Sequence, residues 1–298
     1  MSHNNRGTII YENVRVLMSE SFPGDQYIVR LEAPRIAARA GAGSFVHLRC
    51  SDDLPMRRPM SVMRINPDAG TFDVLFKDVG EGTHRLARQP VGAELNALGP
   101  IGQCFTPDSN RPRALLVGGG VGIPPMLQLA TTLADQGIPP ALVIMGSEVP
   151  FPFADARAND AVAGVGLESP RCVPELESAG IASRLASTQG YDGCFSGYVT
   201  DLATAWLDTL DTAALDEVAV YACGPNPMLY ATARLAHQFG LPCQVSLEEF
   251  MACGVGGCAG CTVLVKEDGD DAMRRVCVDG PVFEGDRIQW SALGFGPL

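Results

Sequence analysis

Four cysteines near the C-terminus have the types and spacing needed to hold an iron–sulfur cluster. They follow the pattern C-x4-C-x2-C with a distal fourth member, and they are Cys253, Cys258, Cys261 and Cys277. This is the plant-type spacing of a [2Fe–2S] site. Glycines between the ligands permit positive φ angles and close backbone approach, and their N–H groups can point at the sulfurs. These are Gly254, Gly256, Gly257 and Gly260.

Zinc binding and unliganded burial are the two other interpretations of the four cysteines. Structural zinc sites are usually built from two C-x2-C pairs, and here only Cys258 and Cys261 form such a pair. Buried thiols without a metal would not need four cysteines among closely spaced glycines. The spacing therefore favours a [2Fe–2S] cluster.

Composition and charge limit the class of protein that surrounds this site. The chain has 298 residues, 46% hydrophobic and 19% charged, and a net charge of −12. We expect an ordered protein of two or three domains that binds neither nucleic acid nor an anionic membrane surface. The start lacks an apolar signal region, and no run of 18 apolar residues occurs, so we expect a soluble cytoplasmic protein.

The ten cysteines suit a reducing compartment and point to metal or redox chemistry instead of disulfides. Six lie outside the cluster pattern and share no spacing; apart from Cys223, we expect them to be small buried hydrophobic residues. They are Cys50, Cys104, Cys172, Cys194, Cys223 and Cys243. The four histidines are too scattered along the chain to suggest a metal site.

The first hundred residues alternate short β-prone runs with turn residues, which predicts an antiparallel sandwich or a small barrel. Within them, Arg58, Pro59, Met60 and Ser61 form a possible clamp, because Arg58 can make bidentate contacts to a phosphate. After Leu75, Phe76 and Lys77, the chain turns into a short helix at Gly82 and Thr83. A hydroxyl and an N–H there could bind an anion. Together these segments predict that one strand and the N-terminus of one helix bind the same pyrophosphate group.

The segment from Leu98 to Gly102 is rich in turn residues and is the predicted exit from the β region. A buried strand then runs into a glycine turn and an amphipathic helix, the arrangement of a mononucleotide-binding unit. The turn consists of Gly118, Gly119, Gly120, Val121 and Gly122, with Pro124 and Pro125 tolerated in the first helical turn.

Three more strands alternate with helices, which predicts a parallel sheet with ligands at the carboxyl ends of its strands. Cys223, Gly224 and Pro225 follow the last of these strands, where a nicotinamide would lie, and Cys223 is the candidate catalytic residue. The stretch after Ser187 has no arginine cluster for a 2′-phosphate, which favours NAD over NADP.

Taken in order, these motifs over residues 9–283 resemble the electron-transfer subunit of the NAD-linked (type B) dihydroorotate dehydrogenases, within the ferredoxin reductase-like flavoproteins. The motifs are R-P-x-S, G-E-G-T, L-G-P-x-G, G-G-G-V-G-x-P-P, C-G-P-x-P-M and the cysteine segment with its trailing D-G-P-V-F.

The resemblance implies a fold, a set of cofactors and their sites. It implies an FAD-binding β-barrel at 1–103, a parallel-sheet NAD-binding α/β domain at 104–242 and a small [2Fe–2S] domain at 243–298. FAD would contact Arg58, Pro59, Met60, Ser61, Leu75, Phe76, Lys77, Gly82 and Thr83. NAD would contact Gly118 to Gly122 and Cys223 to Pro225, and the four cysteines would hold the cluster.

The implied activity is a relay. The resemblance implies that an FMN-containing catalytic partner, assembled with this chain as a heterotetramer, would oxidise dihydroorotate to orotate in pyrimidine biosynthesis. Electrons would pass through the cluster and FAD to NAD+, and no dihydroorotate site is expected on this chain. The alternative is a related flavin and iron–sulfur subunit serving a sulfide dehydrogenase- or transhydrogenase-like partner. Such relatives tend to have aspartate in place of the first cluster cysteine, so Cys253 counts against them.

Two further points stay open at the level of sequence. A colourless zinc module on a degenerate flavoprotein fold is the interpretation from a different functional class. The segment between Met145 and Ser187 is some fifteen residues longer than the family usually has, and it could alter cofactor choice or partner docking.

Overall fold

A computed structural model describes residues 8–158, 160–166 and 168–298. The N-terminal part is a closed antiparallel barrel in the order β1-β2-β5-β4-β3-β6. Its strands are β1 (Ile10–Phe22), β2 (Gln26–Glu32), β3 (Phe45–Arg49), β4 (Arg58–Asn66), β5 (Thr71–Lys77) and β6 (Glu94–Ile101), with helices α1 (Pro34–Ala37) and α2 (Glu81–Ala87) between them. Of the two predicted β architectures, the barrel is the one found, because β1 pairs with both β2 and β6 and closes the sheet.

Alternation along the strands fills the barrel with side chains. Val14 and Val16 of β1, and Val46 and Leu48 of β3, are buried in one apolar cluster. Because neighbouring strand residues point to opposite faces, the residues between them face outward. This alternation decides which side chains of β3 and β4 can reach a cofactor outside the barrel.

The middle of the chain forms a sheet whose strands are parallel except at one edge, in the order β10-β9-β8-β7-β11-β12-β15. Its successive elements are β7 (Arg113–Gly119), α3 (Ile123–Asp135), β8 (Leu142–Gly146), α4 (Pro174–Ser178), β9 (Ser183–Ser187), β10 (Phe195–Ser196), α5 (Val199–Leu207), α6 (Thr212–Leu215), β11 (Val218–Cys223), α7 (Asn226–Gln238) and β12 (Cys243–Ser246). A 3-10 turn, Gly120–Gly122, joins β7 to α3, and a proline stands in the first turn of α3 as the sequence predicts.

The C-terminal part carries a hairpin and one more strand. These are β13 (Thr262–Glu267), β14 (Asp270–Arg275) and β15 (Val282–Glu284), followed by a 3-10 turn at Trp290–Leu293. β15 pairs antiparallel with β12, so the parallel sheet takes in two strands from the segment predicted to form the third domain. Val263 and Trp290 share an apolar cluster with Val245 of β12. The division of the chain at residues 103 and 242 stays a prediction.

Two local expectations meet a different structure. The segment predicted as a turn-rich exit lies largely within β6, where Leu98 pairs with Tyr11 and Gly99 with Ile10. These residues are extended because β6 closes the barrel between β1 and β3. The long segment between β8 and β9 has α4 as its only named element among the described residues.

That long segment packs against the barrel. The buried Gln26 amide donates to the carbonyl of Pro150 at 2.7 Å. Arg64 of β4 donates to Glu175 of α4 at 2.8 Å and also lies 3.5 Å from Asp73 of β5. The segment therefore ties the barrel to the sheet.

Within the described residues, every helix is too short or too polar to cross a membrane.

Candidate functional site

A cavity of about 1100 Å³ lies where the barrel, the parallel sheet and the cysteine segment meet. It is large enough for a flavin ring together with a second ring compound. Residues from all three parts line it: Phe45, Met56 to Ser61, Leu75 to Lys77, Val79, Thr83, Val121, Cys223, Asn226, Ser246 to Ala252, Gly260 and Pro281.

The structure thus brings together most of the side chains that the sequence singled out for FAD. All of the predicted FAD residues line this cavity except Gly82, and of the predicted NAD residues Val121 and Cys223 do so. The other predicted NAD residues do not line it, and they are Gly118, Gly119, Gly120, Gly122, Gly224 and Pro225.

Gly82 does not line the cavity itself, but it contacts Arg58, which does. A β-carbon at Gly82 would lie 2.4 Å from Nε and 2.7 Å from Cζ of Arg58, so the guanidinium rests directly against the start of α2. The same guanidinium donates to the carbonyls of Met56 at 2.9 Å and Arg57 at 3.2 Å. Arg58 is therefore held at the cavity by its own strand and by a position that only glycine leaves open.

The hydroxyl of Thr83 is already used within its own turn. It accepts from the N–H groups of Val79 and Gly80, both at 3.1 Å, and donates to the carbonyl of Gly80 at 2.9 Å. Gly80 is the N-cap of α2, so Thr83 caps this seven-residue helix in the absence of a side chain at the cap. The turn that faces the cavity is thereby fixed.

The glycine turn after β7 is shaped by close contacts. Gly120 has φ of +56°, and a β-carbon at Gly122 would lie 2.3 Å from the carbonyl oxygen of Cys223. Glycine at position 122 thus lets the start of α3 approach the carboxyl end of β11. This approach brings the two predicted NAD segments side by side.

Cys223 is a buried, neutral thiol at the end of β11. Burial raises its pKa far above the ordinary value, and the nearby charge of Glu248 raises it further. Cys223 pairs with Ser246 across the β11–β12 ladder, and a hydrogen bond to the Ser246 side chain only partly opposes the shift. A thiol in this state can pack against a ring but is neither a base nor a nucleophile.

The four predicted cluster ligands lie together as two pairs. The thiol of Cys253 is close enough to that of Cys258, and the thiol of Cys277 to that of Cys261, for each to affect the ionisation of its neighbour. Cys261 and Cys277 are buried, whereas Cys253 is half-buried and Cys258 is exposed. Main-chain pairing of Val276 N with Cys261 O at 2.8 Å holds the buried pair together.

Main-chain N–H groups point at the sulfurs of the exposed pair. Val255 N donates to Cys253 Sγ at 3.5 Å, and Gly260 N donates to Cys258 Sγ at 3.4 Å. Burial opposes ionisation of Cys253, but hydrogen bonds from the loop outweigh it and lower the pKa of this thiol to about 7. Burial and then the neighbouring Cys261 raise the pKa of Cys277 to about 12.

The conformation of the loop explains only some of its glycines. Gly254 and Gly256 have φ of +67° and +78°, and so does a non-glycine residue, Ala259, at +52°. A β-carbon at Gly256 would lie 2.5 Å from Cγ2 of Val278, whereas one at Gly257 would meet nothing within 4 Å. Glycine is therefore required at two of the four positions for the reasons predicted.

Arg275 joins the two halves of the cysteine segment. Its guanidinium donates to the carbonyl of Gly256 at 3.2 Å and to Asp279 at 3.2 Å. Its charge lies close to Cys277 and Cys261. A cation beside four thiolates offsets part of the negative charge that the site gathers.

The donor set consists of four cysteine thiols. A [2Fe–2S] cluster takes four thiolates, two on each iron, so two adjacent pairs of cysteines fit it. A mononuclear zinc site would need all four sulfurs at about 2.3 Å from one centre.

Several cavity residues were not predicted from the sequence. Asn226 follows the C-G-P motif, and its Oδ1 is buried with no hydrogen-bond partner among the described residues. Its place at the start of a helix after a parallel strand is the signal that could have found it. Phe45 and the stretch Ser246 to Ala252 line the cavity only because β3 and the cysteine segment fold against β4.

Comparison with known proteins identifies close relatives of this arrangement. Residues 248–289 match the family described as the iron–sulfur cluster binding domain of dihydroorotate dehydrogenase B. The chain is 35% identical over 266 residues to the dihydroorotate dehydrogenase B (NAD(+)) electron transfer subunit of Shouchella clausii, covering 87% of this chain and 90% of that one. It is 30% identical over 280 residues to the subunit of the same name from Desulforamulus reducens, covering 93% and 98%.

Solved structures agree with the fold. A chain of the NADH-dependent reduced ferredoxin-NADP oxidoreductase superposes with a TM-score of 0.75 at 27% identity, covering 94% of this chain and 90% of that chain. The ferredoxin reductase of carbazole 1,9a-dioxygenase superposes with a TM-score of 0.58 at 24% identity, over 78% of this chain and 67% of its own length. The second likeness concerns the fold alone.

Proposed function

The chain belongs to the family of dihydroorotate dehydrogenase B electron transfer subunits, and from this premise we propose how its residues carry electrons between NAD+ and a catalytic subunit. It is an NAD-linked flavoprotein component that uses FAD and a [2Fe–2S] cluster, and it acts in pyrimidine biosynthesis. Its partner is the catalytic subunit of the same enzyme. We further propose that this partner contains FMN, that the two assemble as a heterotetramer, and that they work in the cytoplasm.

The observation that carries the proposal is the cavity shared by β4, the end of β11 and the cysteine segment. When bound, the flavin exchanges a hydride with the nicotinamide and single electrons with the cluster. A relay of this kind needs the three sites next to one another, and the cavity supports that requirement. The proposed division is a flavin part at 1–103, a nucleotide part at 104–242 and a cluster part at 243–298.

On the flavin side, we assign Arg58 to Ser61, Leu75 to Lys77, Gly82 and Thr83 to FAD. Arg58 holds a phosphate, because its guanidinium is fixed against Gly82 and faces the cavity. The extended β4 backbone presents Pro59 and Ser61 on the same face. The hydroxyl of Thr83 fixes the turn before α2, so that the main chain at the start of this helix can contact the ligand.

On the nucleotide side, we assign Gly118 to Gly122 and Cys223 to Pro225 to NAD. Gly122 lets the turn approach β11, so a dinucleotide can cross both strand ends. Cys223 packs against the nicotinamide as a neutral thiol. The orphan Oδ1 of Asn226 supports a ligand at this point, because a carboxamide N–H can satisfy it.

On the cluster side, Cys253, Cys258, Cys261 and Cys277 are the proposed ligands. The exposed end of this loop is the proposed partner face, since Cys258 is exposed, Val255 is 46% exposed, and Phe250, which also lines the cavity, is 95% exposed. An apolar side chain presented to solvent so fully is typical of a surface that another protein covers.

The test is spectroscopic and uses the full-length chain with its partner. Purified in air, the complex should show flavin bands and a broad iron–sulfur shoulder, and NADH should bleach both. In Cys258→Ser, NADH should still reduce the flavin while the cluster signal is lost. Loss of flavin reduction as well would refute the modular assignment, and recovery of a partner other than an FMN-bearing dihydroorotate dehydrogenase would refute the proposed partner.

A further inference from the structure

His47 is a buried histidine that the mechanism above does not use. It lies on β3 with 0% of its surface exposed. Neither Nδ1 nor Nε2 has a hydrogen-bond partner among the described residues. Buried polar atoms are nearly always paired, so an unpaired imidazole calls for a physical reason.

The position of His47 on its strand places it on the cavity side of the barrel. Val46 and Leu48, on either side, point into the barrel core. Phe45, two residues away, lines the cavity, and so does Pro59, which pairs directly with His47 across β3 and β4. Directly opposed residues of an antiparallel pair share one face, so His47 lies beside the proposed flavin strand.

The other side of the imidazole is covered by the cysteine loop. A β-carbon at Gly254 would lie 2.7 Å from His47 Nδ1 and 3.1 Å from Cγ, so glycine at this position lets the loop close over the ring. The main-chain carbonyls of Cys253 and Arg57 lie close enough to favour a proton on the ring. A neutral imidazole carries one N–H and one acceptor nitrogen, so the ring has a hydrogen to donate to this loop.

The main chain of His47 is anchored independently. Its carbonyl accepts from Arg57 Nη1 at 3.2 Å, and the same nitrogen donates to the carbonyl of Asn96 at 3.0 Å. Arg57 immediately precedes the proposed flavin clamp. The backbone of β3 is therefore tied to the flavin strand, and the side chain projects from that rigid point toward the loop.

We propose that His47 is a positioning residue: its ring N–H, unpaired among the described residues, takes an acceptor from the main chain of the cysteine loop around Cys253 when the cluster is bound, and so holds the first cluster ligand against the flavin strand. Residues that orient metal ligands from outside the ligand set tune the metal and its retention. His47 is a side chain of the barrel that reaches this loop at Gly254. It thus fixes how the cluster loop sits relative to the flavin, which no ligand cysteine can do alone.

This inference rests on the proposed function, because it takes the four cysteines as cluster ligands. The experiment compares His47→Phe, which keeps a ring but has no nitrogen, with His47→Gln, which keeps a donor. Both are made in the full-length chain and purified with the catalytic partner. Val46→Ala is the matched control, since it trims the neighbouring buried residue of the same strand without touching the loop.

Three quantities are measured: the EPR spectrum of the reduced cluster, its midpoint potential, and its lifetime under an iron chelator. His47→Phe should shorten the lifetime by about tenfold and shift the EPR spectrum and the potential. His47→Gln should stay within about threefold of the wild type, and Val46→Ala should leave the spectrum unchanged. Should His47→Phe not be recovered with FAD, His47→Leu, which is close to histidine in volume and has no ring nitrogen, is measured against the same criteria.

Each result bears on one claim. A His47→Phe protein with the spectrum, potential and lifetime of the wild type overturns the inference. Equal losses in His47→Phe and His47→Gln also overturn it, because they show that the donor is irrelevant. A wild-type complex without any cluster signal refutes the proposed function instead.

Discussion

The contact between Gly82 and Arg58 leads to a prediction in which folding and flavin binding change in opposite directions. In Gly82→Ala the new methyl group would stand 2.4 Å from Arg58 Nε, so the guanidinium must leave its place. Gly82 lies within α2, and alanine stabilises a helix over glycine by roughly 0.5–1 kcal/mol. The side chain of Arg58 can swing toward solvent, so the apoprotein should be no less stable than the wild type.

FAD binding should nevertheless weaken. A hydrogen bond to a charged group contributes about 1.5–3 kcal/mol, and each 1.4 kcal/mol is about tenfold in Kd. Losing the Arg58 contact should therefore raise the Kd for FAD by about 10- to 100-fold. The assay is the recovery of FAD fluorescence on dilution of the flavin-loaded chain, together with thermal unfolding of the apoprotein.

Gly80→Ala is the matched control. Gly80 is the N-cap of the same helix, has an extended φ of −164°, and a β-carbon there would meet nothing within 4 Å. Alanine is a poorer cap than glycine, so this variant should lose about 0.5 kcal/mol of stability while the FAD affinity stays unchanged. A Gly82→Ala protein that binds FAD within twofold of the wild type would refute the proposed role of Arg58.

Three more predictions follow from particular contacts. Gly256→Ala should cost about 1–2 kcal/mol of loop strain and so lose its cluster to a chelator roughly tenfold faster, whereas Gly257→Ala, with open space around it, should match the wild type. Burial raises the pKa of Glu284 in the folded chain. The protonated carboxyl group therefore contributes stability that is fully present below the unfolded pKa of about 4.3 and is lost as the pH rises through the higher folded pKa. Glu284→Gln should therefore raise the free energy of unfolding at pH 8 but not at pH 4, as measured by thermal unfolding. The gain should be less than about 1 kcal/mol because the group is partly exposed, and an equal gain at both pH values would contradict this. Phe250→Ala should weaken binding of the catalytic subunit by about 2 kcal/mol, seen as a Kd about 30-fold higher by calorimetry. Tyr198→Ala, at another exposed aromatic residue (67% exposed), should not change this Kd.

Features that depend on local sequence were predictable. The barrel strands follow from period-two alternation, and the turn at Gly120 and the proline start of α3 follow from backbone restrictions of glycine and proline. The pairing of the four cysteines on one segment follows from their spacing. In each case the residues that decide the structure are close together in the chain.

Features that depend on packing between distant segments were not predictable. Gly82 was singled out as part of a helix cap, yet its contact is with Arg58, in a different strand. His47 carried no motif, and its importance appears only when β3 and the cysteine loop meet at Gly254. The left-handed position at Ala259 likewise could not be inferred, since alanine disfavours positive φ and the fold must impose it.

The two halves of the proposed cluster site are held by different frameworks, and this has a consequence for the relay. Cys261 and Cys277 are buried in the apolar cluster that also contains Val245 of the parallel sheet. Cys253 and Cys258 lie on the more exposed loop, between His47 of the barrel and the exposed Phe250. The loop therefore borders the cavity that would hold the flavin on one side and solvent on the other. A cluster held by these four cysteines would be anchored to both the barrel and the parallel sheet, so close packing of the two frameworks would fix its place beside the flavin.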